Sequence, residues 1–225
     1  MSETAFVYRV GSDEAYSIRF FSPKMEIPLC GHATLAAAKV LFEKVNLNDV
    51  SFKTDAGLGL AARRVGDQIE MVFPVYDTVP ADVPSALLSA LGIDAVTNCV
   101  YNEETKILLL EISDSATLAK LRPDFRAHVL SYDGINGVVV TSRSDREYYD
   151  FHSRYFWSWS GSDEDPVTDG SHTFLAKYWS IRLDKSKMRS FQSSKRTGSM
   201  DVSLIGDKLL IKSHAIIVFE GHLVV

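Results

Sequence analysis

Residues 31–40 read GHATLAAAKV, and residues 170–179 read GSHTFLAKYW. Each run opens on a glycine, carries a threonine three places on (Thr34, Thr173) and an alanine six places on (Ala37, Ala176). Apolar spacing predicts a helix over 32–45 in the first and over 172–180 in the second. The alanine-rich first helix suits close packing on all sides. Working outward, an arginine-aromatic run precedes each: Arg19-Phe20-Phe21 and Arg154-Tyr155-Phe156. A Gly-Asp pair follows each at nearly equal distance, at Gly66-Asp67 and Gly206-Asp207, and reads as a hairpin turn. The order strand, loop, G-x-x-T helix, strand, Gly-Asp, strand therefore occurs twice. It implies two similar halves, each a β-rich layer curled around one buried helix.

Strand signals dominate the remainder. Short runs rich in β-branched and aromatic residues lie at 5–10, 16–21, 50–54, 68–73, 106–112, 137–142, 148–156, 200–205, 208–213 and 215–220,. A shorter helix is expected over 84–93, with Pro84 at its start and Gly92 near its stop. The proline-bearing stretch DTVPADVP (77–84) is the expected linker, which divides the chain into an N-terminal lobe, 1–80, and a C-terminal lobe, 81–225. The last strand, about 214–225, would return to the first lobe. KSKMRSFQSSKR (185–196) reads as a solvated loop.

A composition of 46% hydrophobic and 24% charged residues is that of an ordinary globular protein with a substantial core,. The net charge of −5 argues against nucleic acid or an anionic membrane as partner,. Two cysteines far apart, Cys30 and Cys99, do not make a disulfide scaffold,. No signal peptide and no apolar run long enough to span a bilayer is evident, so a cytoplasmic protein is expected.

The stretch EDPVTDGSH (164–172) places acids, a proline, a glycine and a histidine just ahead of the second helix. One reading is a capped helix start, with Asp or Ser oxygens accepting the first-turn N–H groups. The other is an anion site, because free N–H groups at a helix mouth bind carboxylates and phosphates. If both mouths face one cleft, they converge on a single small anionic ligand, with His32, Asp165, His172 and Glu3 around it. That set suits moving a proton within a carboxylate substrate and calls for no cofactor and no metal. Competing motifs fail: GLGLAA (57–62) lacks the strand–turn–helix context of a dinucleotide site and reads as strand. Asp163, Glu164 and Asp165 lack the alternation of a calcium loop.

SETAF (2–6), LCGHATLAAA (29–38), FHSRYF (151–156), EDPVT…SH (164–172), LAKYW (175–179) and QSSKRTG (192–198) closely resemble the phenazine-biosynthesis-like, or PhzF-like, isomerase family of the diaminopimelate-epimerase fold. The resemblance implies an α+β fold of two pseudo-symmetric lobes, each a curled, barrel-like β-sheet around a central helix, usually in a homodimer, with the catalytic acid/base at Glu3, supported by His32 and Asp165. It also implies substrate contacts at the helix mouths: Gly31, Ala33, Thr34, Gly170, Ser171 and His172. Members usually carry about forty residues before SETAF, which makes the first lobe look shortened here. Aligned without a gap, the family's TGSAH places Asp169 where a glycine is usual and Gly170 where a serine is usual. An added carboxylate there would repel an anionic substrate and raise a neighbour's pKa. The fold relatives that racemise amino acids use two thiols; Cys30 stands at one such position, but Gly170 and Ser171 stand at the other, which argues against a two-thiol racemase. The implied activity is a cofactor-independent isomerisation of a small carboxylate-bearing metabolite. The alternative is a catalytically inactive member that binds a metabolite or a protein partner.

Overall fold

A computed structural model describes residues 3–9, 15–222 and 224 of the 225-residue chain. The first repeat unit comprises β1 (Thr4–Tyr8), β2 (Tyr16–Phe21), β3 (Glu26–Ile27), α1 (Gly31–Lys44), β4 (Asp49–Thr54), β5 (Gly59–Val65) and β6 (Gln68–Pro74). An inserted segment follows, with β7 (Val79–Pro80), α2 (Ser85–Leu91), β8 (Asn98–Asn102), β9 (Ile107–Glu111), α3 (Ser115–Lys120) and α4 (Phe125–Ser131). The second unit comprises β10 (Gly137–Arg143), β11 (Phe151–Trp157), β12 (Ser162–Asp165), α5 (His172–Leu183), β13 (Lys187–Gln192), β14 (Gly198–Ile205) and β15 (Lys208–Ser213).

The two units pair their strands in the same way. β1 lies antiparallel to β2 as β10 does to β11, and β3 folds back on β2 as β12 does on β11. β2 runs parallel to β4 across α1, and β11 runs parallel to β13 across α5. Two antiparallel hairpins complete each unit, turning at Gly66-Asp67 and Gly206-Asp207. Both glycines sit at positive φ, 64° and 60°, where a glycine carries no steric cost. β6 and β15 pair antiparallel and join the units into one large curled sheet.

Even the ion pairs repeat. Arg19 Nε and Nη2 donate to Glu26 Oε1 and Oε2 at 2.8 and 2.7 Å; Arg154 Nε and Nη2 donate to Glu164 Oε1 and Oε2 at 2.7 and 2.9 Å. The first pair is exposed, whereas Arg154 is buried and also donates to the Leu118 and Leu121 carbonyls. The second therefore ties β12, which carries Asp165, to β11 and to α3.

One hydrophobic cluster takes in both central helices, with Ala33, Ala38 and Phe42 of α1 and Phe174, Leu175 and Trp179 of α5 against inward residues of the strands. A second lies under α2 to α4 and includes Leu87, Leu91, Leu110, Leu118 and Phe156. Gly92 ends α2 in the left-handed region at φ 71°,. No helix among the described residues is long and apolar enough to cross a membrane.

Several expectations are corrected. The stretch taken for a solvated loop contains β13, whose Met188, Ser190 and Gln192 alternate inward. Its buried small and polar residues find partners inside the fold, so polarity concealed a period of two. The run 215–220 forms no strand among the described residues; Ile216, Val218 and Phe219 are exposed. Both edges of β6 are already taken by β5 and β15, and the tail touches the first unit through Lys44 and Glu220, 2.5 Å apart. The expected strand at 148–156 starts only at Phe151, and the linker contains the short strand β7. Val10, the end of the first expected strand, lies outside the described residues. Sequence inspection also passed over α3, α4 and β8 in the insertion.

Arg154→Ala removes the buried guanidinium and strands the half-buried Glu164 carboxylate and two carbonyls, and is expected to lower stability by about 3 kcal/mol,. Arg19→Ala, at the exposed counterpart, is expected to cost far less. Urea unfolding of the two variants checks the contrast.

Candidate functional site

Parallel strands force each helix to begin at the same end of its unit, and the β6–β15 junction brings those ends together. The mouths of α1 and α5 meet at a cavity of about 300 Å³ whose wall includes Glu3, Cys30, Gly31, His32, Asp165, Thr168, Asp169, Gly170 and Ser171. A second, open chamber of about 500 Å³, bordered by Lys195 and Arg196, shares Glu3, Trp157 and Asp165 with the first.

On the α1 side, His32 Nε2 donates to Glu3 Oε2 at 2.6 Å, and Cys30 Sγ lies 3.4 Å from the same nitrogen. The Glu3 side chain is only 3% exposed. Burial works against a charge on His32, but hydrogen bonds with Cys30 and Glu3 and the nearby Asp165 outweigh it and push the imidazole pKa upward,. Burial raises the Cys30 thiol, although its contact with His32 works the other way. Cys30, the residue before α1, makes no side-chain cap hydrogen bond to its first turn.

On the α5 side, Gln192 holds the turn. Its Oε1 accepts from Thr168 N at 2.8 Å and its Nε2 donates to the Asp165 carbonyl at 2.6 Å. Asp165 Oδ2 accepts from Thr168 Oγ1 at 2.8 Å, while Oδ1 is buried with no hydrogen-bond partner among the described residues. Burial pushes the Asp165 carboxyl up to about 7; His32 and Thr168 oppose this, and Glu3 and Asp169 add to it. Asp169 is pushed up to about 6 by burial, again opposed by His32.

The capped-start reading does not hold here. Ser171 precedes α5 without a side-chain cap bond and donates its hydroxyl to the Thr168 carbonyl. The turn's own carbonyls take the helix's first donors, His172 N to Asp169 O at 2.9 Å and Thr173 N to Gly170 O at 3.3 Å. No backbone carbonyl among the described residues accepts from Gly170 or Ser171 N–H.

Six expected site residues thus come together: Glu3, Gly31, His32, Asp165, Gly170 and Ser171. Ala33, Thr34 and His172 do not line the cavity. Thr34 Oγ1 donates to the Cys30 carbonyl, and fully buried His172 donates from Nδ1 to Thr168 O at 2.7 Å and has Ser190 Oγ 3.0 Å from Nε2. Burial lowers its pKa to about 4, so it is a neutral pin between α5 and β13. A histidine one place inside a helix points toward the core as readily as toward the mouth, and sequence alone does not distinguish them. Sequence reading missed Tyr155, Trp157 and Trp159 in the cavity wall. Their signal was present in the uninterrupted aromatic strand.

Glu3, Cys30 and His32 offer three ligand atoms within 4.8 Å of one another, a donor set that suits zinc. The 2.6 Å Glu3–His32 separation is a hydrogen bond, shorter than the roughly 3.3 Å between ligands of a tetrahedral ion. The arrangement is that of a shared proton.

A Cβ added at Gly31 would run into the Asp169 Cβ and lie 2.6 Å from its Cγ and Oδ2. Gly31→Ala is expected to destabilise the fold by about 1–3 kcal/mol, and Asp169→Gly in the same chain should recover most of the loss. Thermal unfolding of the singles and the double measures that coupling. Asp169 also carries a pH signature. Its folded pKa of about 6 lies above the unfolded value, near 4 for an aspartate. Its stability contribution is therefore full below about 4 and lost as pH rises through about 6. His128 and His172, both lowered to about 4, titrate in the opposite sense but cancel between variants. The melting temperature of Asp169→Asn relative to wild type should climb from pH 5 to pH 8.

The family model described as phenazine biosynthesis-like protein matches residues 1–221. An uncharacterized isomerase of Pseudomonas aeruginosa is 41% identical, over 99% of this chain and 83% of that protein. Mouse phenazine biosynthesis-like domain-containing protein 1 is 39% identical, over 99% of this chain and 84% of its own length. A crystal structure of a PhzF-family protein from Enterococcus faecalis superposes with a TM-score of 0.87 at 31% identity, covering 99% of this chain and 84% of that one. With its two G-x-x-T helices meeting mouth to mouth, the chain belongs to the phenazine-biosynthesis-like, or PhzF, family.

Proposed function

We propose that this protein is a cofactor-independent isomerase that moves a proton from one carbon to another within a small carboxylate-bearing metabolite. The observation that carries the reading is the Glu3–His32 hydrogen bond of 2.6 Å at the cavity wall, with Asp165 in the same wall. Isomerase-named relatives support the reaction class. In the forward step the Glu3 carboxylate takes a proton from a C–H bond adjacent to an electron-withdrawing group, and the electron pair shifts into the neighbouring π system. The C–H bond re-forms at the far carbon as Glu3 returns the proton. No oxidant, reductant or second substrate is needed.

His32 holds the Glu3 carboxylate by hydrogen bonding and balances charge in a cavity wall without lysine or arginine. Asp165, held near neutrality, supplies or accepts a hydrogen bond to a polar group beside the reacting carbon,. Backbone N–H groups at Gly170 and Ser171 hold the substrate carboxylate. Gly31 gives the chain room to approach, while Ala33, Thr34 and His172 keep the two mouths in place from the core.

Glu3→Gln keeps size and hydrogen bonding and removes the titrating oxygen. In deuterated buffer, proton exchange into a bound carboxylate should fall about 10²–10⁴-fold, with ligand affinity changed much less. Full exchange by Glu3→Gln would remove the assignment. A wild type that binds its ligand yet exchanges no proton would instead establish the non-catalytic binding protein.

A further inference from the structure

The two helix mouths are alike in sequence and unlike in what fills them. At Gly31 the space where a side chain would stand is occupied by Asp169, whose Cγ and Oδ2 lie 2.6 Å from that point. At Gly170 nothing lies within 4 Å. Counted from the two glycines, Asp169 precedes Gly170 as Cys30 precedes Gly31; Asp169 fills the space beside the opposite glycine, and nothing fills the space beside Gly170. Cys30 makes no side-chain cap bond to the first turn of α1, and an uncapped, positive helix end favours one anion.

We propose that Asp169 is a specificity-determining residue: its carboxylate takes the anion position at the mouth of α1, so the cavity seats a single ligand carboxylate, at Gly170 and Ser171, and rejects dicarboxylates. The inference rests on the cavity being the substrate site proposed above. Three further observations carry it. Neither lysine nor arginine lines this cavity, and its other charged walls are Glu3, Glu104 and Asp165. The imidazole of His32 is already hydrogen-bonded to Glu3, so a second ligand carboxylate meets like charges in this wall; Lys195 and Arg196 border only the adjoining chamber. Finally, Asp165 is 5% exposed and its Oδ1 has no hydrogen-bond partner among the described residues. A buried carboxylate oxygen at a cavity wall calls for a donor, which a ligand hydroxyl or amine supplies. Asp169 thereby limits the ligand to one carboxylate, seated opposite the α1 mouth.

Lactate and malate test this directly, since both are 2-hydroxy acids and malate adds only the second carboxylate. Trp157 and Trp159 line the cavity, so quenching of tryptophan fluorescence reads binding without requiring turnover. At pH 7.5 the wild type should bind malate at least about ten-fold more weakly than lactate, and Asp169→Gly should bring the two within about three-fold. Asp169→Asn, which keeps the bulk and drops the charge, should recover only part of the malate affinity and controls for folding. Glu104→Gln removes one cavity charge without opening the α1 mouth and should narrow the ratio clearly less than Asp169→Gly does. The proposal is overturned if Asp169→Gly leaves the ratio as in wild type, if Glu104→Gln narrows it equally, or if neither acid binds any variant. Deuterium exchange on the same proteins separates the two ideas: discrimination without exchange keeps this proposal and removes the isomerase.

Discussion

Parallel pairing is the constraint from which the rest of this architecture follows. Antiparallel neighbours can be joined by a two-residue turn, but parallel neighbours need a long crossover. Here β2 with β4, and β11 with β13, are parallel pairs each built around one central helix, while β9 with β10, crossed by α3 and α4, is a third parallel pair, between the insertion and the second unit. Each crossover must return the chain to the starting end of the sheet, so each helix starts at the far end, beside the terminus of its first strand. Antiparallel pairing of β6 with β15 sets the two units head to head. Two helix mouths then face one cavity through topology alone.

What the cavity wall contains works against stability. Asp165 and Asp169 are each more than nine-tenths buried, close to Glu3, and both are pushed up from the carboxylate range by burial. A fold selected only for stability would replace such groups with apolar residues of like volume. Their persistence beside a 2.6 Å carboxylate–imidazole bond is the pattern of a site whose proton affinities have been brought toward neutral pH. The cost is met by the unusually large apolar cluster that wraps both helices and by the Gln192 clamp, which gives the turn at 165–168 its hydrogen bonds.

Much of this was legible in the sequence because the repeat is written in residues with backbone consequences. Gly31 and Gly170 mark helix mouths, Gly66-Asp67 and Gly206-Asp207 mark hairpins, and the Arg-aromatic runs mark strands anchored by an ion pair. Glu3, His32 and Asp165 were legible from the resemblance, and the cavity brings them together. The parts that were not legible share a cause: their identity depends on partners distant in sequence. β13 looks like a solvated loop until His172 and Thr168 supply partners for Ser190 and Gln192. Residues 215–220 look like a strand until both edges of β6 are seen to be filled. His172 looks like a mouth residue until its rotation on α5 sends it into the core.

The deepest departure from symmetry lies at the centre, where the two units touch. Each repeat supplies a helix mouth to the cavity, yet Cys30 precedes the glycine on one side and Asp169 precedes it on the other. A thiol in this position is small and neutral when its pKa is raised, and it leaves the opposite glycine open. A carboxylate is longer and charged, and it reaches the mouth of the opposing helix. Gly31 makes that reach possible, because any Cβ there would collide with Asp169. Gene-duplicated folds with two equal mouths have two equal anion seats, and so no means of orienting a ligand with one acidic group. Under the proposed function, filling one mouth with a tethered carboxylate would remove the degeneracy: the remaining mouth would fix the substrate carboxylate, Asp165 the adjacent donor, and the reacting carbon would face Glu3.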